Sequence, residues 1–261
     1  MLYLLGTVFL QIVLESLPIS SSGNCALWTH LLELYTNIKA CSMPVDIDFL
    51  MHGPTIVVVG VYFFDVISWY LLHIRQTYKS LWSLAMVCLI VGHITALGYL
   101  VFRLFSLITI PLYVGFSITA AFLFSLLCCK KVPTKKVLTY RDGVILGIVQ
   151  ALSLLPGISR FASTYVAARW LGFYNYHAFG YSFLIQMPLL GVAFLKGLYG
   201  VYSGEVSGAI FTPSILIVAL CAMVVSYFAL QLVGRLINKD KVYVLGWYVI
   251  GTAFIAYIYG I

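Results

Sequence analysis

Glu15 and Arg160 each interrupt an apolar stretch, and each stands beside a proline, a glycine and several hydroxyls. The first interruption reads Gln11-Ile-Val-Leu-Glu15-Ser-Leu-Pro18-Ile-Ser20-Ser21-Ser22-Gly23-Asn24. The second reads Gln150-Ala-Leu-Ser-Leu-Leu-Pro156-Gly157-Ile-Ser159-Arg160-Phe-Ala-Ser163-Thr164. At each, proline breaks a helix and small hydroxyl residues start a new one. A restarting helix offers unpaired N–H groups and a positive dipole end, which suit an anion such as phosphate. Ser20, Ser21 and Ser22 add donors, and Gly23 lets the backbone come close. Ser159 reads as the N-cap of the second returning arm, which leaves Arg160 in its first turn. A guanidinium there can bind phosphate oxygens in a bidentate way. Glu15 can act as a base or hold a divalent cation. The plainer readings are a capped helix with a tight break, and a Glu–Arg pair that only neutralises itself. One motif of each charge, half a chain apart, favours a shared anion site.

The elements around these motifs are apolar. Hydrophobic residues make up 62% and charged residues 9% of 261, and the mean hydropathy is +1.04. Soluble domains carry roughly 25% charged residues, so the chain reads as one integral membrane domain over 1–261. Nucleic acid is not the partner implied by the net charge of +7, because most basic residues lie between apolar spans. The N-terminal apolar run has no basic flank and carries Glu15, so it is read as part of the mature protein. The six cysteines show no metal-ligand spacing. Cys25 and Cys41 pair only if both face an oxidising side.

Spans are expected at about 49–74, 81–102, 106–129, 180–200, 213–237 and 243–260. Arg75 and Lys79, then Lys130, Lys131, Lys135, Lys136 and Arg141, then Lys239 and Lys241 follow alternate spans, which puts these clusters inside and 201–212 outside. Residues 1–40 and 141–178 then become re-entrant helical hairpins, each followed by three spans. The expected fold is all-α and polytopic, an inverted repeat of 1–129 and 130–261. Two kinked spanning helices are the alternative. His52 is a candidate neighbour of the site. His30 and His93 read as packing residues, and Asp65 and Arg169 as interfacial anchors.

Leu17-Pro18-Ile19-Ser20-Ser21-Ser22-Gly23-Asn24 resembles the Leu-Pro-Val-Ser-Ser-Thr-Gly-His motif of the undecaprenyl-diphosphatase family, the membrane phosphatases linked to bacitracin resistance. Pro156-Gly157-Ile158-Ser159-Arg160-Phe161-Ala162-Ser163-Thr164 resembles that family's Pro-Gly-Thr-Ser-Arg-Ser-Gly-Ala-Thr. Agreement extends to Leu138-Thr139-Tyr140-Arg141-Asp142, His52 with Thr55, Ser182-Phe183-Leu184 with Pro188, and Gly246-Trp247-Tyr248. The resemblance implies two re-entrant hairpins with six spans in the bacterial inner membrane. It also implies removal of the terminal phosphate of a C55 isoprenyl diphosphate on the periplasmic side. A divalent cation, Mg2+ or Ca2+, is implied as cofactor. Glu15, Ser21 and Arg160 match catalytic positions. Ser20, Ser22, Gly23, Asn24, Gly157, Ser159 and Thr164 match the phosphate-binding segments, and Glu15 and Gln11 the acids expected to hold metal. Gln11 replaces a glutamate and Asn24 a histidine, and Phe161 and Ala162 replace smaller or polar residues. A polyprenyl-phosphate transporter, or a paralogue that binds without hydrolysing, is the alternative function. Self-association as a homodimer is left open.

Overall fold

A computed structural model of the chain describes residues 2–36, 45–104, 110–129, 135, 137–203 and 212–261. Its regular elements are all helices, and the only extended pairing among these residues is an isolated bridge between Lys135 and Phe173. In chain order they are α1 (Leu2–Glu15), α2 (Ser21–Thr36), α3 (Val45–Tyr62), α4 (Phe64–Leu72), α5 (Ile74–Leu104) and α6 (Leu112–Ser125). The second half holds α7 (Tyr140–Leu152), α8 (Arg160–Trp170), α9 (Asn175–Tyr202), α10 (Pro213–Asn238) and α11 (Leu245–Ile258). Short 3-10 turns, Leu126–Cys128 and Val242–Val244, extend α6 and precede α11.

The helix ends follow local chemistry. Pro18 has no N–H to continue α1 and disfavours a helical Leu17, so α1 stops at Glu15. Pro156 does the same after α7, and Gly157 takes a positive φ of 79° that a side chain would resist. The Ser159 hydroxyl accepts from the Ala162 N–H, the cap expected from sequence. Thr139 and Asp142 form a reciprocal capping box at the start of α7. Thr212 caps α10, whose first residue is Pro213.

Among the described residues, three helices are long and apolar enough to cross a membrane: Ile74–Leu104, Asn175–Tyr202 and Pro213–Asn238. They match the expected spans at 81–102, 180–200 and 213–237. The span expected at 49–74 is bent by 68° between Tyr62 and Phe64. The bend has a packing cause: Tyr62 and Phe63 both turn into an aromatic cluster with Phe179. Phe183 and Tyr227 close that cluster. Counted as one span, the bent pair makes a fourth. The apolar segments Leu112–Cys128 and Val242–Ile258 are shorter than the spans expected at 106–129 and 243–260. The basic residues Lys130, Lys131 and Lys136, the loop carrying Glu205, and Cys41 lie outside the described residues.

The helices pack in exchanged pairs. α1 lies against α10 and α7 against α5, while α3 pairs with α9 and α6 with α11. The main core gathers Phe116, Leu123, Phe161, Tyr165, Phe179 and Phe183 around α8. α8 is buried along nearly its whole length, which is how it carries Arg160 into the middle of the molecule. Many large apolar side chains point outward instead, among them Leu72, Leu104, Leu220, Phe228 and Trp247. Such an exterior suits lipid, where apolar exposure carries no penalty.

Candidate active site

The two interruptions meet. One small cavity of about 30 Å³ is lined by Glu15, Ser20, Ser21 and Ser22 from the first break and by Ile158, Ser159, Arg160 and Phe161 from the second. The N-terminal turns of α2 and α8 therefore face the same space. Their first amides have no acceptor within their own helix and bring two positive dipole ends together. The Ser21 hydroxyl donates to Glu15 Oε2 at 2.6 Å. Arg160 Nη1 stands 3.9 Å from Glu15 Oε1, a loose pair, and the buried Nε of Arg160 has no hydrogen-bond partner. A base joined to a hydroxyl, with an under-used guanidinium beside it, is an arrangement for phosphoryl chemistry.

Neighbouring helices fix this geometry. Thr119 on α6 accepts from the Ser159 N–H at 2.9 Å and donates to the Gly157 carbonyl at 2.9 Å. A Cβ at Gly115 would collide with the Pro156 carbonyl, so α6 lies flush on the second break. A Cβ at Gly23 would stand 3.0 Å from the Gly157 Cα, so glycine lets the two breaks touch. On the other side, Ser226 of α10 hydrogen-bonds Ser16 and the Ile12 carbonyl.

The remaining sequence candidates stand behind the cavity wall. Asn24 Nδ2 donates to the carbonyls of Ile19 and Ser20, both at 2.8 Å, and its Oδ1 accepts from the Tyr248 hydroxyl at 2.9 Å. Its polar atoms are committed to holding the turn. The Thr164 hydroxyl donates to the Arg160 carbonyl. Gln11 is buried and its Oε1 accepts from the Cys25 thiol at 3.2 Å. Gly23, Asn24, Gly157, Thr164 and Gln11 thus shape the breaks without lining the cavity. Arg169 differs from an interfacial anchor: it is buried, donates to the Phe173 carbonyl at 2.6 Å and faces Asp240 at 3.9 Å.

Sequence reasoning missed Ser153 and Gln186, which line the cavity. Gln186 stands two residues before Pro188 in α9, as His52 stands two before Pro54 in α3. That shared spacing was the available signal.

For a divalent cation, the described residues contain no group of three or more His, Cys, Asp or Glu side chains able to hold a metal unaided. Mg2+ commonly binds through one or two carboxylates and completes its shell with phosphate and water oxygens. Glu15, beside the Ser21 hydroxyl and lining the cavity, fits that second kind of site.

Fold and site together define an all-helical membrane protein with a small polar cavity between two broken helices. The sequence pattern of the family described as bacitracin resistance protein BacA matches residues 4–255, and the chain belongs to that family. Its relatives include the undecaprenyl-diphosphatase of Borrelia recurrentis (strain A1), 28% identical over 95% of each chain. That of Thermotoga sp. (strain RQ2) is 29% identical over 98% of this chain and 99% of its own. Undecaprenyl-diphosphatase 4 of Bacillus thuringiensis (strain Al Hakam) is 29% identical over 97% of this chain and 94% of its own.

Proposed function

We propose that this chain is a membrane phosphatase that removes the terminal phosphate of undecaprenyl diphosphate and releases the monophosphate carrier lipid. The observation that carries this reading is the convergence of Glu15, Ser21 and Arg160 on one cavity between two helix N-termini. The diphosphate enters by taking the place of Glu15 on the Arg160 guanidinium, whose present contact is long and whose Nε is free to donate. The Ser21 Oγ attacks the terminal phosphorus while Glu15 accepts its proton, the anhydride P–O bond breaks, and the lipid monophosphate leaves. Glu15 gives its proton to solvent, then takes one from the water that attacks the phosphoserine and returns it to the Ser21 Oγ as the Oγ–P bond breaks and inorganic phosphate leaves. Arg160 and the amides of α2 and α8 neutralise the charge on the equatorial oxygens. A divalent cation, Mg2+ or Ca2+, when bound by Glu15 and the phosphates, supplies further charge neutralisation.

The fold we infer for this chemistry is two re-entrant hairpins, α1–α2 and α7–α8, each followed by three spans. The exchanged pairing of α1 with α10 and α7 with α5 supports an inverted repeat of 1–129 and 130–261. So do the matching prolines of α3 and α9. In this arrangement the cavity faces the external side of the bacterial inner membrane, and the isoprenyl tail lies along the lipid-facing surface.

Purified protein in lipid vesicles, given undecaprenyl diphosphate, should release inorganic phosphate, and Glu15→Gln should abolish most of that release. Tight binding of the lipid without phosphate release would replace this reading with the transporter or non-catalytic one.

A further inference from the structure

Gln186 lines the cavity from α9, a helix to which neither break belongs. It is 3% exposed, and its carboxamide makes no hydrogen bond to any of the described residues. The neighbouring hydroxyls are engaged. Ser21 donates to Glu15, Ser153 to the Gln150 carbonyl, and Ser20 and Ser159 accept from the N–H groups of Gly23 and Ala162. Ser22 makes no such bond but is exposed. Gln186 is therefore the buried polar side chain of this cavity whose partners are still to come. A buried carboxamide brings two donors and an acceptor, and leaving them unmade is costly unless a ligand or water meets them. An apolar side chain would fill a mere packing position without that cost. Packing fixes the placement. Phe183, one turn earlier on the same face of α9, meets Phe161 with ring centroids 4.6 Å apart, and Phe161 lines the cavity beside Arg160.

We infer that Gln186 is a substrate-binding residue, its Nε2 donating to the phosphoryl oxygens that Arg160 binds. This rests on the phosphatase reading of the same cavity and adds a ligand from a third wall. A deprotonated diphosphate presents acceptors alone, so the amide meets it through its N–H groups. Few other side chains can help: Phe161 has no polar atom, and those of Asn24 hold its own turn and Tyr248. Charge explains why an amide stands here. A second cation would pair with Glu15 and occupy the base, whereas a neutral donor grips phosphate and leaves Glu15 to Ser21.

The test is binding of farnesyl methylenediphosphonate, a short isoprenyl diphosphate mimic that cannot be hydrolysed, to the full-length protein in detergent micelles. Calorimetry should show one saturable site in the parent. Gln186→Met keeps the length and loses the amide, and should weaken binding by about 10–100-fold, the range for a hydrogen bond to a charged group. Parent-like affinity in a Gln186→Met protein with the parent's unfolding temperature overturns the inference. A second measurement needs no variant. Parent protein labelled with 15N in its glutamine side chains should show 15N–31P dipolar dephasing to the bound mimic in solid-state magnetic resonance. Bound mimic without dephasing also overturns the inference. A parent that binds no mimic removes the phosphatase reading and this inference together. A parent that binds with dephasing but releases no phosphate from undecaprenyl diphosphate removes the phosphatase reading and leaves Gln186 as a ligand.

Discussion

Three side chains divide the work at the residue scale, and each has its own expected signature. Glu15 holds the Ser21 hydroxyl at 2.6 Å, so Glu15→Gln should lower kcat by about 10²–10⁴-fold, the usual worth of general-base assistance. With 32P in the terminal phosphate, acid quenching should trap phosphoserine in the parent and none in Ser21→Ala. Label that appears in neither, with full turnover in the parent, would assign the attack to water. Arg160→Lys keeps the charge but loses the planar fork, and should lower kcat/KM by about 10²–10³-fold, as for a lost oxyanion donor. Asn24 behaves differently from what its motif position implies. All its hydrogen-bonding atoms hold the turn and Tyr248, so Asn24→Ala should lower the unfolding free energy by about 1–3 kcal/mol. Asn24→His should raise no activity, because an imidazole cannot serve two carbonyls and accept from Tyr248 together. A clear gain in phosphate release with that variant would show that the turn can reopen toward the cavity.

At the scale of elements, α6 acts as the brace of the second break. Thr119 joins the Gly157 carbonyl and the Ser159 N–H, on either side of Ile158. Thr119→Val removes both bonds and leaves two buried backbone groups unpaired, at about 1–3 kcal/mol each. Thr119→Ser should keep them. Turnover and thermal unfolding measured together should fall in the valine variant and stay near the parent in the serine variant. The other end of that hairpin is fixed by electrostatics. Burial works to raise Asp142, but the hydrogen bonds from Lys135 and Thr139 outweigh it and hold the carboxyl below its ordinary range. A carboxyl lowered on folding stabilises above its unfolded value and loses that contribution as pH falls through the folded one. The contribution should therefore be intact at pH 6 and fade below about pH 4. Unfolding temperature against pH should lose that acid limb in Asp142→Asn.

On the scale of the whole molecule, the paired helices put both breaks at one place, and orientation follows from the basic residues. Residues 130–141 should face the cytoplasm, and both termini and residues 201–212 the outside. Single cysteines introduced at these positions and probed with an impermeant thiol reagent should label only in the external set. Labelling of the C-terminus from the cytoplasmic side alone would remove the six-span count and the inverted repeat with it.

The amino-acid sequence determined what depends on neighbours along the chain. Proline, glycine and serine stop and restart a backbone wherever they stand, so the ends of α1 and α7 and the cap at Ser159 were legible, as was the apolar character of the long helices. Tertiary structure alone decided what depends on packing between distant segments. It closed Glu15 onto Arg160, set Thr119 against the second break and turned Asn24 away from the cavity. It also bent the α3–α4 segment at Phe63 and brought Gln186 to the cavity. Those outcomes rest on which helix faces fit together, and a residue's own sequence neighbours carry no record of that fit.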